Sequence, residues 1–166
     1  AGGLWKSTDA GSTWVPLTDS LPQIGVSAIA IDYSNSNIIY IATGDDDASD
    51  TVSAGVYVSI DGGTTWNPTG LNPDNTPSII SEIYIHPSNS SILWIASNRG
   101  VYKSTNTGTS WTRTMHGNVL DLKLKPGNPN IMYAVTPSRF FKSTNSGNSF
   151  TQVSEGLPQN SSRMVI

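Results

Sequence analysis

The chain has no cysteine, so disulfides and thiolate metal sites are excluded and no sequence clue to redox compartment remains. It has only two histidines, His86 and His116, at no metal-ligand spacing. Charge is also scarce. Nine Lys and Arg face twelve Asp and Glu, a formal net charge of -3 that gives no electrostatic footprint for nucleic acid. No apolar run approaches the ~18 residues of a membrane helix, so no membrane insertion is expected. No basic segment followed by an apolar stretch opens the chain, so no signal peptide is visible. The first residue is Ala rather than Met, which is compatible with removal of an upstream leader or domain. Nucleophile motifs of the Ser-x-x-Lys and Gly-x-Ser-x-Gly kinds are missing.

What is abundant is Ser, Thr and Asn, together 55 of the 166 residues. That composition suits short strands and tight turns rather than helices. The polar residues are ordered by a repeat. The octet frame S-x-[DN]-x-G-x-[TS]-[WF] occurs four times: STDAGSTW from Ser7, SIDGGTTW from Ser59, STNTGTSW from Ser104 and STNSGNSF from Ser143. Its fixed positions are Ser7, Asp9, Gly11 and Trp14; Ser59, Asp61, Gly63 and Trp66; Ser104, Asn106, Gly108 and Trp111; and Ser143, Asn145, Gly147 and Phe150. Asp or Asn accepts hydrogen bonds from backbone amides just ahead, Gly supplies positive φ, and the closing aromatic covers apolar surface. Each octet follows an apolar-aromatic stretch (GLWK, GVYV, GVYK, RFFK) and precedes a short polar strand, so it is expected to join two strands of a hairpin.

Two further strands separate successive octets. The first set is Val26 to Asp32, Ile80 to His86 and Val119 to Lys125; the second is Asn37 to Thr43, Ser91 to Ser97 and Asn130 to Thr136. The turns between them are rich in Ser, Asn, Pro and Gly. Four strands, here lettered A to D, within each ~40–50 residues are the signature of a β-propeller blade. The expected layout is a partial blade with strands C and D over 1–18, complete blades over 26–70, 78–115 and 118–154, and a first strand of a further blade over 161–166. About four blades are then present, and a larger propeller with its remaining blades elsewhere is expected.

The octet resembles the Asp-box, or BNR repeat, of sialidases, xyloglucanases, sortilin-type receptors and secreted bacterial propellers. The runs GGLWKSTDAGSTW, LPQIGVSAIAID and IYIATGDDDASDTVSAGVYVSIDGGTTW are similar to surface proteins of the Bacteroidetes that carry type IX secretion tails. This resemblance covers essentially the whole chain. It implies an all-β propeller, secreted or on the cell surface, that binds protein or glycan. Asn106, Asn145 and Phe150 depart from the preferred Asp and Trp; Asn keeps the acceptor oxygen and tolerates left-handed backbone, so these copies are expected to turn as well.

Five places are weighed for chemistry. The octets recur once per blade and diverge around a ring, which makes them structural rather than catalytic. The acidic loop GDDDASD offers Asp45, Asp47 and Asp50 as weak calcium ligands, against a plain solvated loop; no other cofactor is expected. Alignment of the A strands places Ala28, Glu82, Asp121 and Arg163 at one position, with Ala30, Tyr84 and Lys123 two residues on, along the same strand face. Glu82, Asp121, Lys123 and Arg163 are therefore candidates to face a central channel or to pair between blades. His86 shares the A–B turn position of Asp32 and Lys125 and is expected to be exposed. Arg99, Arg113, Arg139 and Arg163 are not expected to converge on one pocket, and the Phe/Tyr-Arg-Ile-Pro signature of sialidases is missing. No catalytic residue is assigned. The expected function is non-catalytic binding or scaffolding, with part of an extracellular xyloglucanase-like or sialidase-like hydrolase as the alternative.

Overall fold

The computed structural model describes residues 2–44, 52–71 and 77–157. Among these residues there is no α-helix. A two-stranded sheet, β1 (Trp5–Lys6) with β2 (Val15–Pro16), is followed by three four-stranded antiparallel sheets. Each runs in chain order: β3 (Val26–Ile31), β4 (Ile39–Thr43), β5 (Val56–Ser59) and β6 (Asn67–Pro68); then β7 (Ile80–His86), β8 (Asn89–Ser97), β9 (Gly100–Ser104) and β10 (Thr112–His116); then β11 (Asp121–Leu124), β12 (Met132–Val135), β13 (Phe140–Ser143) and β14 (Thr151–Val153). These are the four-stranded meanders of a β-propeller; the first octet joins β1 to β2, and each later octet joins the third and fourth strands of its sheet.

The second and third strands of each sheet read as nearly continuous apolar runs because both of their faces are covered. Along β8, alternate side chains go to opposite neighbours. Leu93 and Ile95 pack with Tyr40, Ala42 and Val56 of the preceding sheet. Trp94 and Ala96 pack with Val119, Leu122, Met132 and Ala134 of the following one. The core is thus two slabs between sheets, and the middle sheet is buried on both sides. The outer strands are polar and exposed: β6 is exposed throughout, and only Met115 of β10 is buried.

The A-strand alignment is reproduced in the pairing. Ala28, Glu82 and Asp121 stand opposite Ala42, Ala96 and Val135, which are equivalent positions of the second strands. One turn departs from expectation. β8 begins at Asn89, which pairs with His86, so the turn shrinks to Pro87–Ser88, and the Ser88 amide donates to His86 Nδ1 at 3.2 Å. His86 is half-buried rather than exposed, its ring centroid 5.7 Å from that of Trp94. Burial, and then the nearby Lys103 charge, lowers its pKa.

Candidate functional site

The octets share one hydrogen-bond scheme. In the second, the Ser59 hydroxyl donates to Asp61 Oδ1 at 2.8 Å and accepts the amides of Asp61 at 3.3 Å and Gly63 at 2.8 Å. Asp61 then accepts the Thr65 amide at 2.9 Å and the Thr65 hydroxyl at 2.6 Å. The first octet repeats this through Ser7, Asp9 and Thr13. The threonine hydroxyl and amide hold the carboxyls of Asp9 and Asp61 well below the ordinary value, at about 2. In the other two octets Asn replaces Asp and Ser replaces Thr, and one bond reverses. Asn106 Nδ2 donates to Ser110 Oγ and Asn145 Nδ2 to Ser149 Oγ, each at 2.9 Å. The amides of Ser110 and Ser149 still reach the Asn oxygen, at 2.9 and 3.1 Å.

Two features of the octet were not read from the sequence. Its fourth residue, like the glycine after it, is left-handed: φ is 58° at Ala10, 73° at Gly62, 56° at Thr107 and 56° at Ser146. The varied residue types at that position hid the constraint. In the later three octets the carbonyl of this residue accepts a donor from the preceding sheet. Lys6 Nζ reaches Gly62 at 2.8 Å and the Tyr40 hydroxyl reaches Thr107 at 3.3 Å. Ser146 receives both Trp94 Nε1 at 3.0 Å and Lys103 Nζ at 2.8 Å. Lys103 is only 7% exposed and is held by that carbonyl and by Asn148 Oδ1 at 2.9 Å, while burial pulls its pKa down. The octets are therefore clamps between neighbouring sheets as well as turns.

The inner strands of the second and third sheets bring Glu82, Tyr84, Asp121 and Lys123 together. Lys123 Nζ lies 2.7 Å from Glu82 Oε1, 2.5 Å from Asp121 Oδ1 and 3.3 Å from the Tyr84 hydroxyl. Burial, and then a hydrogen bond with Asp121, raises the pKa of Glu82. Burial, and then the Glu82 carboxyl, raises the Tyr84 phenol to about 12. For Lys123 burial opposes the charge, but the bonds to Asp121 and Glu82 outweigh it and the net shift is upward. Arg163, aligned with this cluster, lies outside the described residues, as do Asp45, Asp47 and Asp50 of the acidic loop.

Beside the cluster is a cleft of about 530 Å³ at the A–B turn end of the sheets. Tyr84 and Lys123 line it together with Lys125, the turn prolines Pro87 and Pro126, and Tyr33, which is 81% exposed. A second cavity, about 450 Å³, opens between the first and second sheets and is lined by Arg99, Arg113, Trp111, Tyr102 and the Gly70–Leu71 backbone. This corrects the expectation for Arg99 and Arg113, which do share a pocket. Arg113 stands opposite Tyr102 in the β9–β10 ladder, and Arg99 occupies the turn just before β9. Arg139 does not line it.

Known proteins share this architecture. A xyloglucanase of a Paenibacillus species is 30% identical over 125 residues, which is 68% of this chain and 12% of that protein. Xyloglucanase Xgh74A of Acetivibrio thermocellus is 30% identical over 126 residues, 68% of this chain and 15% of its own length. The chain thus spans less than a sixth of either relative. Among solved structures, an ancestral GH74 enzyme superposes with a TM-score of 0.73 at 23% identity, covering 93% of this chain and 22% of that one. The Niastella koreensis GH74 enzyme gives 0.66 at 24% identity, covering 93% and 27%. YCF48 bound to D1 peptide gives 0.63 at 18% identity, covering 91% and 46%. At these identities the solved structures establish the propeller fold alone. The family model described as sortilin, neurotensin receptor 3, matches residues 2–111. On that match the chain belongs to the Sortilin-Vps10 family.

Proposed function

We propose that this chain supplies a glycan-binding surface of a secreted bacterial glycoside hydrolase with xyloglucanase-like propellers, and that its described residues hold sugar rather than cleave it. The observation that carries the reading is the Tyr33–Tyr84–Lys123–Lys125 cleft, which sets an exposed aromatic ring and hydrogen-bonding tips over a fixed floor. The identity to xyloglucanases supports a β-glucan as ligand.

The geometry of the carboxyl pair argues against cleavage by these two groups. Glycosidases hold two carboxyls ~5–5.5 Å apart for retention or ~6.5–9.5 Å apart for inversion, flanking the bond. Glu82 and Asp121 instead share one ammonium, Lys123 Nζ, at 2.7 Å from Glu82 Oε1 and 2.5 Å from Asp121 Oδ1, and it occupies the place a glycosidic oxygen would need. The resemblance of the first two octets to exported Bacteroidetes surface proteins supports secretion through a type IX route, which the flanking sequence would test.

Isothermal titration with a xyloglucan oligosaccharide tests the binding reading. Tyr33→Ala is expected to weaken binding about tenfold through loss of one stacking face. Absence of binding by the wild-type chain would sink the proposal. A Glu82→Gln variant of the longer enzyme that loses hydrolysis but keeps affinity and melting temperature would replace it with a catalytic reading.

A further inference from the structure

The Arg99–Arg113 cavity lies between the β3–β6 and β7–β10 sheets and shares no lining residue with the Tyr33 cleft. Two guanidiniums line one cavity on a protein of net charge -3, and among the described residues no carboxylate lines it with them. Among the described residues neither side chain has an ion pair or a side-chain hydrogen bond. Like charges lining one cavity repel, and an anion bound between them offsets that cost. Guanidinium forks match the planar, two-oxygen geometry of a carboxylate, so the favoured anion is a carboxylate.

The rest of the lining is aromatic and stiff. The Trp111 ring is anchored by its Nε1, which donates to the Gly108 carbonyl at 3.0 Å. Tyr102 is buried to 7% exposure beneath the cavity. The Gly70 amide donates to the same Gly108 carbonyl at 2.7 Å. A Cβ on Gly70 would lie 1.8 Å from the Thr109 carbonyl oxygen, so the backbone wall there admits only glycine. The cavity therefore combines a fixed aromatic face with two cationic forks, in a volume sized for one or two sugar rings.

We propose that this cavity is a second site that binds the carboxylate of a uronic-acid residue in an acidic glycan. The inference rests on the glycan-binding reading but uses residues that the Tyr33 cleft does not share, so the two can fail separately. The test is titration of the chain with trigalacturonate, its fully methyl-esterified form, a neutral oligosaccharide of equal length, and a hexaglutamate peptide. Trigalacturonate is expected to bind with an affinity that falls as salt rises. Esterification is expected to cost roughly tenfold or more, and Arg99→Gln and Arg113→Gln roughly tenfold each. Arg139→Gln and Tyr33→Ala are expected to leave trigalacturonate binding unchanged. Because Arg99 and Arg113 are exposed, unchanged melting temperatures will show that both variants fold. Equal binding of free and esterified sugar, or indifference to both arginine variants, overturns the site. Equal or tighter binding of hexaglutamate overturns the ligand class.

Discussion

The octets and the inner strands are two places where this chain concentrates polar side chains, and they satisfy them in opposite ways. An octet closes its hydrogen bonds within eight consecutive residues: Ser59, Asp61 and Thr65 serve one another and their own backbone. The inner cluster closes across sheets, with Lys123 of β11 holding Glu82 of β7, 41 residues away. Local closure can be repeated without reference to its surroundings, whereas closure across sheets requires particular partners. That is why the octet recurs four times, while the A-strand position holds Ala28 in one sheet, Glu82 in the next and Asp121 in the third.

The strongest way to break this contrast is at the point where an octet stops being local. A Cβ on Gly147 would lie 2.7 Å from Trp94 Nε1 and 2.9 Å from Met132 Sδ, at a φ of 71°. Gly147→Ala is expected to cost about 2–4 kcal/mol in urea unfolding, from overpacking added to left-handed strain. Gly127→Ala, at φ 74° with open space around it, carries only the strain and is expected to cost about 1 kcal/mol. Lys123→Met is next. It removes the ammonium that bridges two largely buried carboxyls, at about 2–3 kcal/mol; the partial exposure of Lys123 keeps this below the figure for a fully buried pair. Adding Glu82→Gln to Lys123→Met is expected to restore part of the loss in a double-mutant cycle.

Smaller effects test local closure itself. Ser104→Ala removes a hydroxyl that donates to Asn106 and accepts the amides of Asn106 and Gly108, so about 1–2 kcal/mol is expected, as for loss of a helix cap. Asp61→Asn is expected to change least at neutral pH, because Asn106 and Asn145 already show that the turn survives with one bond reversed. Its signature is in acid. The Asp61 carboxyl is depressed from an ordinary 3.8 to about 2 in the folded chain, so its stabilisation is present above pH 4 and is lost as pH falls toward 2. Melting temperature followed from pH 5 to pH 2 is expected to fall less steeply in Asp61→Asn than in wild type. An equal slope would mean that the carboxyl is not held by Thr65.

The same contrast explains what could be read from the sequence. Blade order, hairpin positions and A-strand register follow from the octets and the apolar runs, because local patterns set them. Pairing of Ala28, Glu82 and Asp121 with equivalent residues of the second strands follows from that register. The left-handed fourth octet residue was hidden because Ala10, Thr107 and Ser146 adopt a conformation usually signalled by Gly or Asn. The burial of His86 depends on Trp94 beside it, not on its place in a turn. The Arg99–Arg113 cavity depends on the space between two sheets, which no spacing within one sheet reports.

The clamp at the fourth octet carbonyl has a consequence for how such a chain can grow by duplication. A copied blade brings a turn that needs nothing from outside, and it presents one oriented backbone acceptor to the blade before it. The preceding blade has only to offer a donor, and this chain does so in three ways: a lysine alone, a tyrosine alone, and a tryptophan with a lysine. Because the acceptor is a main-chain atom, no mutation of the octet side chain can delete it. The junction between repeats can therefore tolerate sequence drift on both sides, while the number of blades changes by whole units.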